Sequence, residues 1–183
     1  MLIGKKHFLT VGAMALAMAI AAPVSAQQKS VAVTAIVEHP ALDAVRDGVQ
    51  DALKAAGYEP GKNLKWQYQS AQGNNGTAAQ IARKFVGDKP DAIVAIATPS
   101  AQAVVAATKD VPVVYSAVTD PVAAQLVSSM DASGTNVTGV SDLLALDKQV
   151  DLIKKIVPNA KRVGIVYNPV SYTHLTLPTS DLV

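Results

Sequence analysis

The strongest constraint on the fold is a regular alternation of two kinds of segment along most of the chain. Short runs rich in Val, Ile and Ala are typical of strands that are buried on both faces of a sheet. Between them lie longer segments in which apolar residues recur every three or four positions, as in amphipathic helices. The predicted strands are 31–37, 64–69, 91–97, 111–117, 136–140 and 162–167. This alternation predicts an α/β fold with a parallel sheet and helices on both of its faces.

Five helices are predicted between these strands, and two of them carry recognisable end signals. Gly57 follows the first apolar stripe and suits the left-handed conformation that ends many helices. Thr77 and Gln80 have the spacing of a capping box, which predicts that Thr77 caps the second helix. The predicted helices are 42–56, one that begins at Thr77, 100–108, 121–129 and 146–157.

Four predicted strands are followed by a polar residue and then proline, at His39-Pro40, Thr98-Pro99, Asp120-Pro121 and Asn168-Pro169. Proline suits the first position of a helix because its missing N–H needs no partner there, and the residue before it can cap the helix. In a parallel sheet these junctions all lie at the carboxyl ends of strands, where open α/β folds bind ligands and helix N-termini attract anions. Capping alone explains each junction singly, but the polar runs 98–100 and 119–120 are longer than capping needs.

The first 26 residues have the pattern of an export signal. Lys5 and Lys6 precede an uncharged apolar run over residues 8–22, and small residues then lead to Ala26. A membrane anchor is the alternative, but this run is shorter than the roughly 20 residues needed to span a bilayer. We therefore expect a signal peptide over residues 1–26, cleavage after Ala26 and export of the remaining chain.

Composition excludes several classes of function. The chain has no cysteine, which excludes a disulfide framework, a thiolate zinc site, a cysteine nucleophile and a lipid-modified cysteine after the signal. Lys and Arg exceed Asp and Glu by only 16 to 14, so no nucleic-acid partner is indicated. The three histidines, His7, His39 and His174, are far apart, and no metal or other cofactor is predicted. His39 has the chemistry of a general base, but no catalytic motif accompanies it, and we predict a binding protein rather than an enzyme.

Six sequence blocks resemble the periplasmic substrate-binding component of ABC transporters, in the branch that handles tryptophan and tyrosine. The blocks are 36–43 (IVEHPALD), 71–73 (AQG), 93–102 (IVAIATPSAQ), 117–121 (AVTDP), 136–142 (NVTGVSD) and 167–169 (YNP). The resemblance implies a type I periplasmic-binding-protein-like fold, in which two α/β lobes close on a small amino acid-like solute. It also implies that the solute is delivered to the membrane permease of an ABC transporter, and we expect the receptor to be a monomer.

The same resemblance places the ligand-binding residues at the ends of strands. Carried onto this chain, it indicates His39, Thr98, Ser100, Thr119, Asp120 and Ser141. We expect Ser100 and the N–H groups after Thr98 to hold a carboxylate, because a helix N-terminus favours an anion, and Asp120 to pair with an ammonium group. Glu38 and Asp142 are weaker candidates, which can equally be solvated or capping residues.

The sequence departs from the family pattern after residue 169. Residues 170–183 have no helical period, contain Pro178 and resemble translated sequencing-adapter read-through; a genuine short tail is the alternative. We therefore expect a signal peptide at 1–26, an N-terminal ligand-binding lobe at 27–142, the start of a second lobe at 143–169 and a non-native tail at 170–183. Such a chain, largely lacking its second lobe, is expected to bind weakly or not at all. An exported α/β enzyme or a sensor domain that uses the same sheet edge is the alternative function.

Overall fold

The computed structural model describes residues 28–131 and 134–164. The strands and helices within them are β1 (Lys29–Ala35), α1 (Pro40–Ala55), β2 (Leu64–Ser70), α2 (Asn75–Gly87), β3 (Ala92–Ile96), α3 (Thr98–Ala107), β4 (Val113–Val118), β5 (Val137–Ser141) and α4 (Leu146–Ile156). The first five predicted strands are thus present, with ends shifted by one or two residues. The predicted signal peptide and the predicted tail lie outside the described residues.

The five strands form one sheet in the order β2-β1-β3-β4-β5, and every neighbouring pair is parallel. The chain runs outward from β1 to β2 and then crosses back to β3 on the other side of β1. The connections that leave β1 and β3 therefore diverge, which creates a crevice between the carboxyl ends of these two strands. Crevices of this kind are the usual ligand sites of open α/β sheets.

The two faces of the sheet are buried by different helices. α2 and α3 cover one face, where Phe85 and Val104 are fully enclosed. α1 covers the other face with a stripe that consists of Leu42, Val45, Val49 and Leu53. Because both faces are buried, the strands are almost continuous apolar runs, and the predicted α/β layering is confirmed.

Helix α1 has the end signals that the sequence predicts. His39 precedes the helix in an extended conformation, and its Nδ1 accepts a hydrogen bond from the backbone N of Ala41 at 3.2 Å. Gly57 follows the helix with a φ of 87°, a conformation that a glycine adopts at little cost.

The starts of α2 and α3 correct the sequence prediction. α2 is capped by Asn74, whose Oδ1 accepts a hydrogen bond from the backbone N of Thr77 at 2.9 Å, so Thr77 lies inside the helix and does not cap it. Asparagine is a stronger N-cap than threonine, and its use extends the helix toward the turn. α3 begins at Thr98, with Ala97 in the capping position and no side-chain cap. Thr98 is therefore the first residue of a helix and not its cap.

The predicted helix at 121–129 is wrong. The backbone instead makes tight turns over residues 121–125, and Gln125 has a left-handed φ of 59° that stops helical growth after one turn. This reversal turns Leu126 and Val127 inward, where both are buried. Burial of these two side chains against the core outweighs the local helical pattern.

The last described elements differ from the rest in burial. Helix α4 is present as predicted, but it has no buried residue, and its apolar side chains Val150, Leu152 and Ile156 are largely exposed. The predicted strand at 162–167 is not formed at residues 162–164, and its remaining residues lie outside the described part of the chain. No helix within residues 28–131 and 134–164 is long and apolar enough to cross a membrane.

Candidate functional site

All six residues predicted to bind a ligand lie at the carboxyl edge of the sheet. His39 follows β1, Thr98 and Ser100 form the first turn of α3 after β3, Thr119 and Asp120 follow β4, and Ser141 ends β5. Parallel pairing of the strands brings these separate loops to the same edge. The sheet therefore assembles the predicted residues on one side of the molecule, although they differ in how accessible their polar atoms are.

The loops after β4 and β5 are joined directly. The hydroxyl of Ser141 donates a hydrogen bond to the carbonyl oxygen of Thr119 at 2.7 Å and accepts one from the backbone N of Leu143 at 3.1 Å. The backbone N of Asp142 donates to the carbonyl of Val118 at 3.1 Å. The Ser141 side chain thus holds two loops together at this corner of the edge.

Asp120 organises the turn that replaces the predicted helix. Its Oδ1 accepts hydrogen bonds from the backbone N of Val122 at 3.0 Å and of Ala123 at 2.9 Å. The residue is only partly buried, so its carboxylate lies at the boundary between the turn and solvent. A carboxylate in this position can pair with a cationic group that enters along the edge.

The first turn of α3 contains a polar group that the fold leaves unpaired. Ser100 is completely buried, and its hydroxyl has no hydrogen-bond partner among the described residues. Thr98 is also buried, at 2% exposure. Burying a hydroxyl without a partner costs about 1–3 kcal/mol. Neither side chain meets solvent in this conformation, so direct contact with a ligand requires the first turn to shift.

His39 has a structural role that its pattern also suggested. Because its Nδ1 accepts the hydrogen bond from Ala41, the proton of the neutral ring is on Nε2. The residue is exposed and precedes Pro40 at the start of α1. This arrangement fits a loop residue that borders the crevice better than a general base.

Sequence reasoning missed three strained residues at the same edge. Gln72, Ala97 and Ala117 have φ angles of 51°, 72° and 53°, and they lie just after β2, just after β3 and near the end of β4. Ala97, with a ψ of 154°, occupies a region that is otherwise almost restricted to glycine and costs about 1–3 kcal/mol. No sequence signal marks these positions, because the residues that normally announce such conformations are glycine and asparagine.

Backbone hydrogen bonds hold the strained loops against their neighbours. The backbone N of Ala97 donates to the carbonyl of Ser116 at 2.9 Å, and the backbone N of Gly73 donates to the carbonyl of Ile36 at 2.6 Å. Strain of this kind persists only where surrounding contacts enforce it, and it concentrates at ligand-binding sites.

A separate cavity of about 260 Å³ lies between α3 and the turn at 121–126. Its walls include Gln102, Val105 and Leu126, and none of the six predicted ligand-binding residues lines it. The described residues also contain no group of three or more His, Asp or Glu side chains that could hold a metal ion.

The sheet order, the layering and the polar loops at the carboxyl edge are those of an open α/β fold with a crevice of the kind that binds ligands. The sequence matches the family of ABC transporter substrate binding proteins over residues 30–176, and the chain belongs to this family.

Three relatives illustrate the similarity. The chain is 49% identical over 144 residues to a tyrosine-binding protein of Clostridioides difficile (strain R20291). The aligned region covers 79% of this chain and 42% of that relative. A conserved domain protein of Vibrio cholerae has a similar structure, with a TM-score of 0.77 and 58% identity over 79% of this chain and 49% of that one. A streptococcal ABC domain in complex with L-Trp has a TM-score of 0.65 and 40% identity, over 70% and 43% of the two chains. The chain thus spans less than half the length of these relatives.

Proposed function

We propose that this protein is a non-catalytic periplasmic receptor that binds an aromatic amino acid and delivers it to an ABC permease. The relatives support this proposal, because one is described as tyrosine-binding and another was solved with L-Trp. The observation that carries the proposal is the buried hydroxyl of Ser100, which has no hydrogen-bond partner among the described residues and lies in the first turn of α3, beside the crevice between β1 and β3.

The first turn of α3 is suited to a carboxylate. The first N–H groups of a helix have no partner within the helix, and the helix dipole adds partial positive charge there. Pro99 contributes no N–H, so the donors are those of Thr98 and Ser100 together with the Ser100 hydroxyl. A small shift of the strained Ala97 segment would open this hydroxyl to the ligand and supply its missing partner.

The neighbouring loop is suited to the ammonium group of the same ligand. Asp120 lies on the loop after β4, next to β3 in the sheet, and its carboxylate is partly exposed. Since adjacent strands are about 4.8 Å apart, one α-carbon can place its carboxylate at α3 and its ammonium group at Asp120. We assign Thr119, Ser141 and His39 to positioning the loops around this site.

The region after β5 supports a second lobe. We propose that residues 143–169 begin this lobe, and that the apolar face of α4 packs against the part of the family's fold that the longer relatives contain. Closure of two lobes would bury most of the ligand, as solute binding requires. We likewise propose that residues 1–26 are a signal peptide and that residues 170–183 are a non-native tail.

The negative charge of the Asp120 carboxylate provides the test of this function. Asp120→Asn retains an oxygen for the bonds from Val122 and Ala123 but removes the negative charge, so the turn should survive while ammonium binding is lost. We expect the affinity for L-tyrosine or L-tryptophan to fall roughly 10–100-fold, as for loss of a hydrogen bond to a charged group. Isothermal titration calorimetry measures this change in the full-length protein that carries both lobes.

Asp110→Asn is the matched control, because Asp110 is an exposed acid on the loop before β4, at the opposite edge of the sheet. It should leave the affinity unchanged. Saturable binding without chemical change of the ligand, followed by mass spectrometry, supports a receptor. Conversion of the ligand would instead favour an exported enzyme, and equal losses in both variants would reject the role of Asp120.

A further inference from the structure

Gln72 has an unusual backbone conformation and a side-chain amide without a hydrogen bond to another described residue. Its φ of 51° is uncommon for a residue with a side chain, and the residue is exposed. Its backbone N donates to the hydroxyl of Ser70 at 3.3 Å, but the side-chain amide makes no hydrogen bond with another described residue. The amide therefore offers both a donor and an acceptor to a molecule at the carboxyl edge.

The loop that carries Gln72 is fastened to the end of β1. The backbone N of Ala71 donates to the carbonyl of Ala35 at 2.9 Å, and the backbone N of Gly73 donates to the carbonyl of Ile36 at 2.6 Å. Gln72 lies between these two anchored residues. The loop after β2 thus directly borders the β1 side of the crevice.

Three chemically different groups form a row along this part of the edge. Gln72 lies after β2, Ile36 and Val37 lie after β1, and the N-terminus of α3 lies after β3. Ile36 is partly buried and Val37 is 38% exposed, so the middle of the row is apolar. With strands about 4.8 Å apart, the row extends roughly 10 Å from the amide to the helix N-terminus.

We propose that Gln72 is a specificity-determining residue that hydrogen-bonds the polar group at the far end of the ligand side chain. This inference rests on the proposed function, because it takes the ligand carboxylate to lie at the N-terminus of α3. The ring of the ligand then lies on Ile36 and Val37, and its terminal hydroxyl meets the Gln72 amide. The row therefore favours a 4-hydroxyphenyl side chain, as in L-tyrosine, over the phenyl side chain of L-phenylalanine.

The test compares the affinities for L-tyrosine and L-phenylalanine in the full-length protein that carries both lobes. Gln72→Met keeps an unbranched side chain of similar length but removes the amide. We expect it to weaken L-tyrosine binding about tenfold, as for loss of one hydrogen bond, and to leave L-phenylalanine binding unchanged. Gln125→Met is the matched control, because Gln125 is also exposed with a left-handed φ, of 59°, but lies outside this row. It should change neither affinity.

Each other outcome also decides the question. Equal weakening of both ligands would show a structural role for Gln72 and overturn the proposal, as would no change in either. If wild type binds neither amino acid saturably, the proposed function fails and this proposal fails with it. Should the melting temperature show that Gln72→Met does not fold, Gln72→Gly removes the amide in a residue that adopts this φ freely, and the same selective loss is expected.

Discussion

The two edges of the sheet are built differently. At the amino edge, polar side chains are paired: Asp91 accepts hydrogen bonds from Lys29 Nζ and from the backbone N of Ser30, both at 2.8 Å. Thr108 Oγ1 accepts two backbone hydrogen bonds, and the side chain of Asn136 donates to a backbone carbonyl at 2.7 Å. These contacts satisfy the loops on which they lie, as is usual for an edge that only maintains the fold.

The carboxyl edge instead keeps strain and an unpaired polar group. Gln72, Ala97 and Ala117 all have left-handed φ angles there, and the buried hydroxyl of Ser100 has no partner among the described residues. Among the described residues, the left-handed non-glycine residue at the amino edge is Lys89, which follows the C-cap Asp88 of α2, where that conformation commonly ends a helix. This difference between the two edges indicates that the strained and unpaired groups, which lower stability, are concentrated on the side where a ligand is expected.

The largest expected effect on stability comes from a substitution that disrupts the pairing of β4 with β5. A Cβ on Gly139 would lie 2.2 Å from the backbone oxygen of Tyr115 and 2.5 Å from its ring, so Gly139→Ala forces the strands apart. We expect a loss of about 3 kcal/mol in the free energy of unfolding, at the upper end for overpacked sites, because a backbone atom cannot move aside. Urea denaturation measures this loss in the free energy of unfolding.

Gly48→Ala is the control for that substitution. Gly48 lies within α1, and a Cβ there would meet nothing within 4 Å. It should stabilise the protein by about 0.5–1 kcal/mol through helix propensity. A neutral Gly139→Ala would show that the close approach of the two strands is not required.

A smaller effect tests the strain at the carboxyl edge. Ala97→Gly should stabilise the protein by about 1 kcal/mol, since glycine adopts the conformation of Ala97 freely but loses more entropy on folding. Ala101→Gly, four residues later inside α3, should instead destabilise it by about 1 kcal/mol. Thermal unfolding distinguishes the two signs, and equal losses would mean that Ala97 is not strained.

The smallest effect concerns the paired amino edge. The Lys29 ammonium and the backbone N of Ser30 hold the pKa of Asp91 below its ordinary value of 3.8. A carboxylate with a lowered pKa stabilises the folded state above its unfolded pKa, and this contribution is lost as the pH falls through the folded pKa. The stability difference between wild type and Asp91→Asn should therefore be present at pH 7 and shrink below about pH 4. Because the pair is solvent-exposed, the difference is small. A difference that is constant across this pH range would contradict the assignment.

Much of the fold could be predicted because burial leaves a repeating pattern in the sequence. Strands covered on both faces must be apolar throughout, and helices that cover them must be apolar on one side, so the alternation along the chain is visible without a structure. The polar-proline junctions likewise placed His39, Thr98 and Asp120 at one edge. These inferences need only the periodicity of each element and the direction of parallel strands.

The predictions from the sequence were wrong where two local conformations compete. Asn74 and Thr77 are both acceptable caps, and Asn74, the stronger N-cap, accepts the hydrogen bond from Thr77 and so lengthens α2. The segment at 121–129 has a helical pattern, but burial of Leu126 and Val127 against the core favours a turn. Local propensity differs by less than the free energy gained from burying two such side chains, so tertiary contacts decide.

The sequence by itself determined the layers, the strand content and the edge at which polar loops gather, because each of these depends on patterns within a few residues. Only the tertiary structure decided which of those polar groups are paired. The Ser141 hydroxyl donates a hydrogen bond to the carbonyl of Thr119, whereas the enclosed Ser100 hydroxyl has no partner within residues 28–131 and 134–164. The strain at Gln72 and Ala97 likewise depends on hydrogen bonds to neighbouring strands, and contacts between residues distant in sequence leave no local signal.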